Sequence, residues 1–232
     1  MSTTGERDLR AATAAGEDMV AAASRFAEEF AAGALAHDRD GRFAVEHLDK
    51  LRADGYLATP VPAQFGGGGV DSVHDLLVAS SRLARGDAAT AIGVNMHLSI
   101  VVNTARSWRV AVERWDERRV EAMAGRLRRI VAEDVVLAAA ASEPSPQDLT
   151  QPATTAARKP SGWVVNGRKV FATMAPFATE LVVAVSVLDG QSRPRYGFAT
   201  VPTTAGGVVF GEDWDALGMR ASASGSVSFH DR

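Results

Sequence analysis

Five histidines are the first residues to weigh for chemistry: His37, His47, His74, His97 and His230. They are scattered, none forms a convincing metal-binding pair with another, and the sequence predicts no metal site. His97 differs from the other four. It falls in Asn95-Met96-His97-Leu98, inside an otherwise apolar run, where polar side chains must find partners or face a cavity. Two readings follow. His97 is a core histidine satisfied by a backbone carbonyl, or it belongs to a helix whose Asn95, Met96 and His97 line a ligand pocket.

Other common chemistries are absent. There is no cysteine, which removes thiol nucleophiles, thiolate metal sites, Fe–S clusters and disulfide frameworks together. No GxSxG elbow, Walker A loop or HExxH pair occurs. Gly66 to Gly69 are four consecutive glycines, but they lack the preceding strand and the spacing of a dinucleotide-binding turn.

The elements that must position such residues divide the chain by texture. Up to about Glu133 apolar residues recur at spacings of three and four, which predicts helices. These are expected at Ala21 to Ala36, Ala44 to Asp54, Ser72 to Arg85, Asp87 to Thr104 and Val110 to Ile130. Gly55 and Gly86 act as stops, and Asp71 or Ser72 as an N-cap. The Asp87 to Thr104 helix is apolar around its circumference and belongs at the centre of a core. From Val135 short β-branched runs take over. Strands are expected at Val135 to Ala141, on both sides of Asn166-Gly167, at Leu181 to Leu188, Tyr196 to Val201, Val208 to Phe210 and Ser224 to Phe229. Asn-Gly between two such runs predicts a type I′ hairpin turn. The expected fold is α+β: an all-α helical domain over 1–134, then a small antiparallel β-barrel or sandwich domain over 135–232.

Composition agrees with a folded, soluble chain. The 232 residues are 46% hydrophobic and 23% charged, a balance that can build a core and is not that of a disordered chain. With 25 basic and 28 acidic side chains, a net of −3, a nucleic-acid partner is not expected. The opening MSTTGERDLR is charged from the start, and no run approaches the roughly 18 apolar residues of a membrane span. A cytoplasmic protein without a membrane span is the expectation.

Several segments, taken in order, resemble the acyl-CoA dehydrogenase superfamily. They are Leu51-Arg52-Ala53-Asp54-Gly55-Tyr56, Pro62-Ala63-Gln64-Phe65-Gly66-Gly67-Gly68-Gly69 and Leu83-Ala84-Arg85-Gly86-Asp87 in the helical part. In the β part, Ala141-Ser142-Glu143-Pro144 resembles the family's "TEP" turn, and Gly162 to Lys169 its "G-x-x-x-N-G-x-K" hairpin. Trp214 to Ser222 resembles its "LGMRGS" turn. The resemblance implies a flavoprotein, with FAD (alternatively FMN) lying against the β-domain. The matching cofactor positions are Ala141, Ser142, Phe171, Ala172 and Thr173. An aromatic at Phe171 would pack on the flavin, and a hydroxyl at Thr173 would bond near N5. The implied activity is α,β-dehydrogenation of an acyl thioester by hydride transfer to flavin N5. Its partners would be acyl-CoA or another small molecule and an electron acceptor.

Two departures bear on that activity. The family's glycine-bearing ligand loop is Ser142-Glu143-Pro144-Ser145-Pro146-Gln147-Asp148 here, so Gln147 or Asp148 would have to supply the polar substrate contact. This is similar to the flavin-dependent monooxygenase branch, including relatives of dibenzothiophene monooxygenase, which take reduced flavin from a reductase. In that branch a histidine can sit near the flavin, which makes His97 the catalytic candidate. The sequence also stops at Ser228 to Arg232, where the family's β-domain is finishing. The four-helix domain that carries the catalytic glutamate is therefore expected to be missing, no residue can be assigned as that base, and a non-catalytic truncated or partner subunit is the third reading. Glu143 reads as a structural carboxylate. An apolar face left on the Ala88 to Val102 helix would invite a homo-oligomer or a partner subunit.

Overall fold

The computed structural model describes residues 9–144, 150–160, 162–190 and 193–230. Five helices come first: α1 (Ala14–Asp40), α2 (Val45–Ala53), α3 (Val73–Gly86), α4 (Ala88–Glu113) and α5 (Glu117–Ala132). Side-chain caps start four of them. Thr13, Ser72, Asp87 and Asp116 each accept a backbone N–H of the first turn. α4 outruns its expected end at Thr104 by more than two turns, and α5 starts later than expected. The break falls at Trp115, which takes a left-handed backbone (φ 57) ahead of the Asp116 cap. Gly86 is the last residue of α3, and Asp87 closes it and caps α4, as expected. A Cβ at Gly86 would meet Ala27 O at 2.2 Å, so this glycine also lets α1 and α3 touch backbone to backbone.

Seven strands follow: β1 (Leu137–Ala140), β2 (Thr155–Lys159), β3 (Gly162–Lys169), β4 (Glu180–Leu188), β5 (Arg195–Pro202), β6 (Val208–Phe210) and β7 (Val227–Phe229). They form one curled sheet. β4 pairs antiparallel with β5 along one edge. Its other edge takes β1 at 180–183 and then β2 at 186–188, both parallel. β2–β3, β3–β7 and β7–β6 are antiparallel. The α+β reading thus holds, with a mixed sheet where an antiparallel one was expected. β7 is shorter than expected because the backbone of residues 222–226 turns aside to bond Met174, Ala172 and Gly211.

The Asn166-Gly167 hairpin is a correction. Both residues lie within the continuous strand β3, and the hairpin is β2–β3, closing after Lys159. Gly167 has φ 146, and a Cβ there would sit 2.5 Å from Thr154 Oγ1. The glycine serves a close backbone approach where β3 leaves β2 and takes up β7, not a turn.

Helices and sheet share one core. Phe26, Phe30, Leu51, Tyr56, Leu83, Val94 and Leu98 are contiguous with Val136, Leu181, Val183 and Phe229. α4 is long and apolar enough to cross a membrane by length and composition, yet over half of its apolar window is buried inside the protein. Its open face is not a wholly apolar patch: Ile92 is exposed, but Asn95 and Ser99 are partly exposed and Asn103 exposed beside it.

Candidate functional site

The turn after β1 is organised by Glu143. Its carboxylate accepts the amides of Ala153 (2.7 Å) and Thr154 (2.8 Å), the Thr154 hydroxyl (2.6 Å) and Lys169 Nζ (2.8 Å). Lys169 is fully buried and also donates to Ala141 O. Burial works against ionisation of Glu143, but the Lys169 bond, the Thr154 hydroxyl and the two amides outweigh it and hold the carboxyl at about 2. Burial lowers the Lys169 pKa, with Glu143 opposing. Glu143 is therefore a structural carboxylate. The clamp fixes the strand end that carries Ala141 and Ser142, and Ser142 O accepts the Val170 amide (3.0 Å). Ala141 is exposed and Ser142 partly so. Gln147 and Asp148 lie outside the described residues.

β3 leads directly into Phe171-Ala172-Thr173. Phe171 takes a left-handed backbone (φ 54) and leaves its ring 65% exposed, edge-on to Trp214 with centroids 6.1 Å apart. A β-carbon residue in that region is strained, so the surroundings hold it there. The anchors are visible. Ala172 N donates to Gly225 O, and Met174 N, itself left-handed, to Ser222 O and Ala223 O. Thr173 turns inward instead. Its hydroxyl is 2.9 Å from Ser224 Oγ, which is 2.7 Å from Ser222 Oγ, all three buried. Three hydroxyls in a row can pass donor and acceptor roles along, so the Thr173 proton is free to serve an outside acceptor. The turn thus presents an exposed aromatic ring and, two residues on, a buried row of hydroxyls, the kinds of group that could hold a planar ring.

The Trp214 to Ser222 turn carries half of this arrangement. Met219 (φ 56) and Ala223 (φ 48) are left-handed, Trp214 Nε1 donates to Met219 O, and Arg220 reaches Asp38 O at the end of α1. Ser222, Ser224 and Trp214 were not singled out from sequence as site residues. The signal available was the Ser222, Ser224, Ser226 alternation ahead of β7. On the helical side, Gly93 of α4 makes room for Met174: a Cβ there would come within 3.3 Å of Met174 Cβ.

His97 takes the first of its two readings, the core histidine, and not that of the catalytic or pocket-lining one. It is fully buried; Nε2 donates to Leu57 O (3.1 Å) and Nδ1 accepts from Leu137 N (3.0 Å). Both ring nitrogens are used by backbone, and burial, only partly offset by the Leu57 carbonyl, lowers its pKa to about 4. It ties α4 to β1 as a neutral imidazole and presents nothing to a substrate. Its neighbours Asn95 and Met96 are partly exposed, and Asn95 Oδ1 accepts a long bond from Ser80 Oγ (3.4 Å). The scattered histidines are a second correction: His37 and His47 meet beside Asp87, all buried. A cavity of about 400 Å³ lies elsewhere, among α1, the Gly66 to Gly68 loop and the end of α5, and touches none of the expected site residues.

Family models describe the same two halves. That of the acyl-CoA dehydrogenase N-terminal domain matches residues 13–108, and that of the middle domain residues 138–232. YdbM of Bacillus subtilis strain 168, whose name assigns it provisionally to the acyl-CoA dehydrogenases, is 36% identical over 86% of this chain and 50% of its own length. L-evernosamine nitrososynthase of Micromonospora sp. is 33% identical over 96% of this chain and 51% of its own. Dibenzothiophene monooxygenase of Rhodococcus qingshengii is 29% identical over 97% and 52%. Among solved structures, KijD3 in complex with FMN and a dTDP-amino-keto sugar superposes with a TM-score of 0.84 at 33% identity, covering 95% of this chain and 52% of KijD3. The chain thus spans about half the length of the curated relatives it matches.

Proposed function

We propose that this chain, which belongs to the acyl-CoA dehydrogenase family, holds a flavin for an oxygenase acting on a heteroatom of a small molecule. The observation that carries the reading is the exposed, left-handed Phe171 ring two residues from the buried Thr173 hydroxyl. Phe171 would cover one face of the flavin, and Thr173, backed by Ser224 and Ser222, would donate toward its N5 edge. Ala141, Ser142 and Ala172 would bring backbone to the ring. FMN is the proposed cofactor, on the strength of the KijD3 complex, and FAD the alternative. When bound, it would supply the electron transfer and the reaction with dioxygen. A flavin reductase would deliver the electrons in the cytoplasm, and a second subunit would cover the open face of α4.

The division of labour follows the texture of the chain. Residues 1–134 would offer Asn95 and Met96 to the substrate, and residues 135–232 would hold the cofactor. Oxygenation is preferred to α,β-dehydrogenation on the strength of the nitrososynthase and monooxygenase relatives. Glu143, closed by four donors, and His97, held by two backbone groups, are structural in either reading. Acyl-CoA dehydrogenation is the second reading, favoured by YdbM.

The test is a titration of the purified chain with FMN and with FAD, followed by oxygen uptake with a reductase and amine or thioether substrates. Saturable FMN binding with product-coupled oxygen uptake is expected. Flavin bleaching by acyl-CoA under anaerobic conditions would replace the oxygenase reading with the dehydrogenase one. No flavin binding by a folded chain would overturn both for this polypeptide.

A further inference from the structure

We propose that His37, His47 and Asp87 form a binding site for a divalent first-row cation, zinc by preference, that joins α1, α2 and the start of α4. His37 stands in the last turn of α1, His47 in the first turn of α2, and Asp87 caps α4; they are 5%, 6% and 4% exposed. One donor atom from each lies within 4.8 Å of the other two. His47 Nδ1 is 3.1 Å and His37 Nδ1 3.8 Å from Asp87 Oδ2. Metal–ligand bonds of about 2.0–2.2 Å in a tetrahedral shell set donor atoms roughly 3.3–3.6 Å apart. The two separations from Asp87 bracket that range, and the two histidines, whose donor atoms lie within 4.8 Å, would have to draw in to close the shell.

The decisive feature is His37 Nδ1, a buried nitrogen with no hydrogen-bond partner among the described residues. Its other nitrogen, Nε2, is 3.0 Å from Glu46 Oε1. Glu46 can only accept there, so Nε2 is the donor, and Nδ1 stands 3.8 Å from Asp87 Oδ2 without a hydrogen-bond partner. A carboxylate behind a histidine in this way orients and strengthens a metal ligand. A buried ring nitrogen without a partner, beside a buried carboxylate and a second imidazole, is a place a divalent cation would satisfy. The rest of the surroundings is built for fixed rings. His47 stacks on Phe30 (centroids 3.8 Å, planes 6° apart), and Gly33 leaves room for the His37 ring, where a Cβ would come within 3.1 Å of Cε1. Asp87 Oδ1 is held by the amides of Ala89 and Thr90, while Oδ2 accepts the Thr90 hydroxyl (3.0 Å) and meets His47 Nδ1 (3.1 Å), the two contacts a cation at Oδ2 would replace. Thr90 Oγ1, also 3.1 Å from His47 Nδ1, or a water would complete the shell. Two imidazoles with one carboxylate suit zinc and its first-row neighbours over calcium or magnesium. On binding, His47 Nδ1 gives up to solvent the proton it shares with Asp87.

The experiment uses the whole chain, stripped with a chelator, re-equilibrated with zinc, desalted and analysed for bound metal, with a parallel thermal melt. One zinc per chain and a raised Tm are expected. His37→Gln should weaken zinc binding by more than the roughly 10–100-fold that loss of an outer partner costs, and Glu46→Gln should fall within that range. His74→Gln and His230→Gln, at exposed histidines, should change nothing. If His37→Gln does not fold, cobalt titration of the unmodified chain decides: visible bands of a four-coordinate nitrogen and oxygen shell support the site, and a purely six-coordinate aqueous spectrum overturns it. No stoichiometric zinc in the stripped and reloaded chain, or equal zinc in His37→Gln, also overturns it.

Discussion

Lys169 Nζ donates to Glu143 Oε1 at 2.8 Å, with the lysine side chain fully buried and the glutamate 8% exposed. The pair joins β3 to the turn that follows β1, and it lies between the two stretches expected to meet the cofactor. Removing one charge leaves the other buried and alone, which costs more than the pair itself contributes. Glu143→Gln should therefore destabilise the chain by about 3–5 kcal/mol in urea unfolding. Loss of under about 1 kcal/mol would mean that Lys169 finds water or another acceptor.

Acid sensitivity follows from two groups whose folded pKa values are depressed. His97 is held at about 4 against an ordinary 6.5. The unfolded chain then binds the extra proton first, so this contribution is complete above pH 6.5 and is lost as pH falls toward 4. Glu143, at about 2 against 4.5, adds a second loss between pH 4.5 and 2. Each amounts to about 3 kcal/mol at its limit, and the lowered pKa of Lys169 offsets part of the second at neutral pH. Unfolding free energy measured from pH 8 to pH 4 should decline below 6.5. In His97→Gln the protein should be weaker at pH 8, and the decline between 6.5 and 4.5 should be largely gone. An unchanged slope in that variant would assign the titration to another group.

The helical half, the strand-rich half and the family resemblance were legible because they rest on local pattern: apolar periodicity, caps and short ordered motifs. What pattern could not supply is contact between distant segments. His97 donates one bond to a residue 40 positions earlier and accepts one from a residue 40 positions later, so its structural role is invisible until α4 lies against β1. His37 and His47 are drawn to Asp87 by the helix crossing, not by any ligand spacing. Phe171 and Thr173 are expected at the cofactor through the motif, whereas Ser224 and Ser222 line up behind Thr173 only because the 219–226 turn folds back over Ala172.

Gly167 tests how far a local signal can mislead. As a turn residue it would tolerate Asn and, at modest cost, other side chains. Inside β3 it has φ 146, a conformation L residues rarely adopt, and a Cβ would press on Thr154 Oγ1 and Cα at 2.5 and 2.7 Å. Thr154 in turn bonds Glu143 through its hydroxyl and amide. Gly167→Ala should thus destabilise by more than about 2 kcal/mol, beyond the usual range for an exposed glycine. It should also weaken the acid-limb loss that belongs to Glu143. A tolerated substitution would place Asn166-Gly167 in a turn after all.

On the proposed flavin reading, Phe171 separates cofactor binding from folding. Its left-handed backbone costs the native state on the order of 1 kcal/mol, and its exposed ring contributes little burial in return. Phe171→Gly should leave the chain as stable as before or more so, because glycine adopts positive φ without strain; the added freedom of the unfolded chain limits the gain. The same change should weaken FMN binding by roughly tenfold or more, since an aromatic face worth about 1 kcal/mol beyond its buried area is lost. Phe171→Trp should restore affinity. Thr173→Ala should lower affinity or shift the reduction potential while Thr173→Ser recovers it, because serine keeps the hydroxyl that Ser224 backs. Fluorescence titration with FMN, paired with urea unfolding of each variant, reads both quantities. If Phe171→Gly gained stability and bound FMN as tightly as the unmodified chain, the strain at Phe171 would serve something other than a flavin.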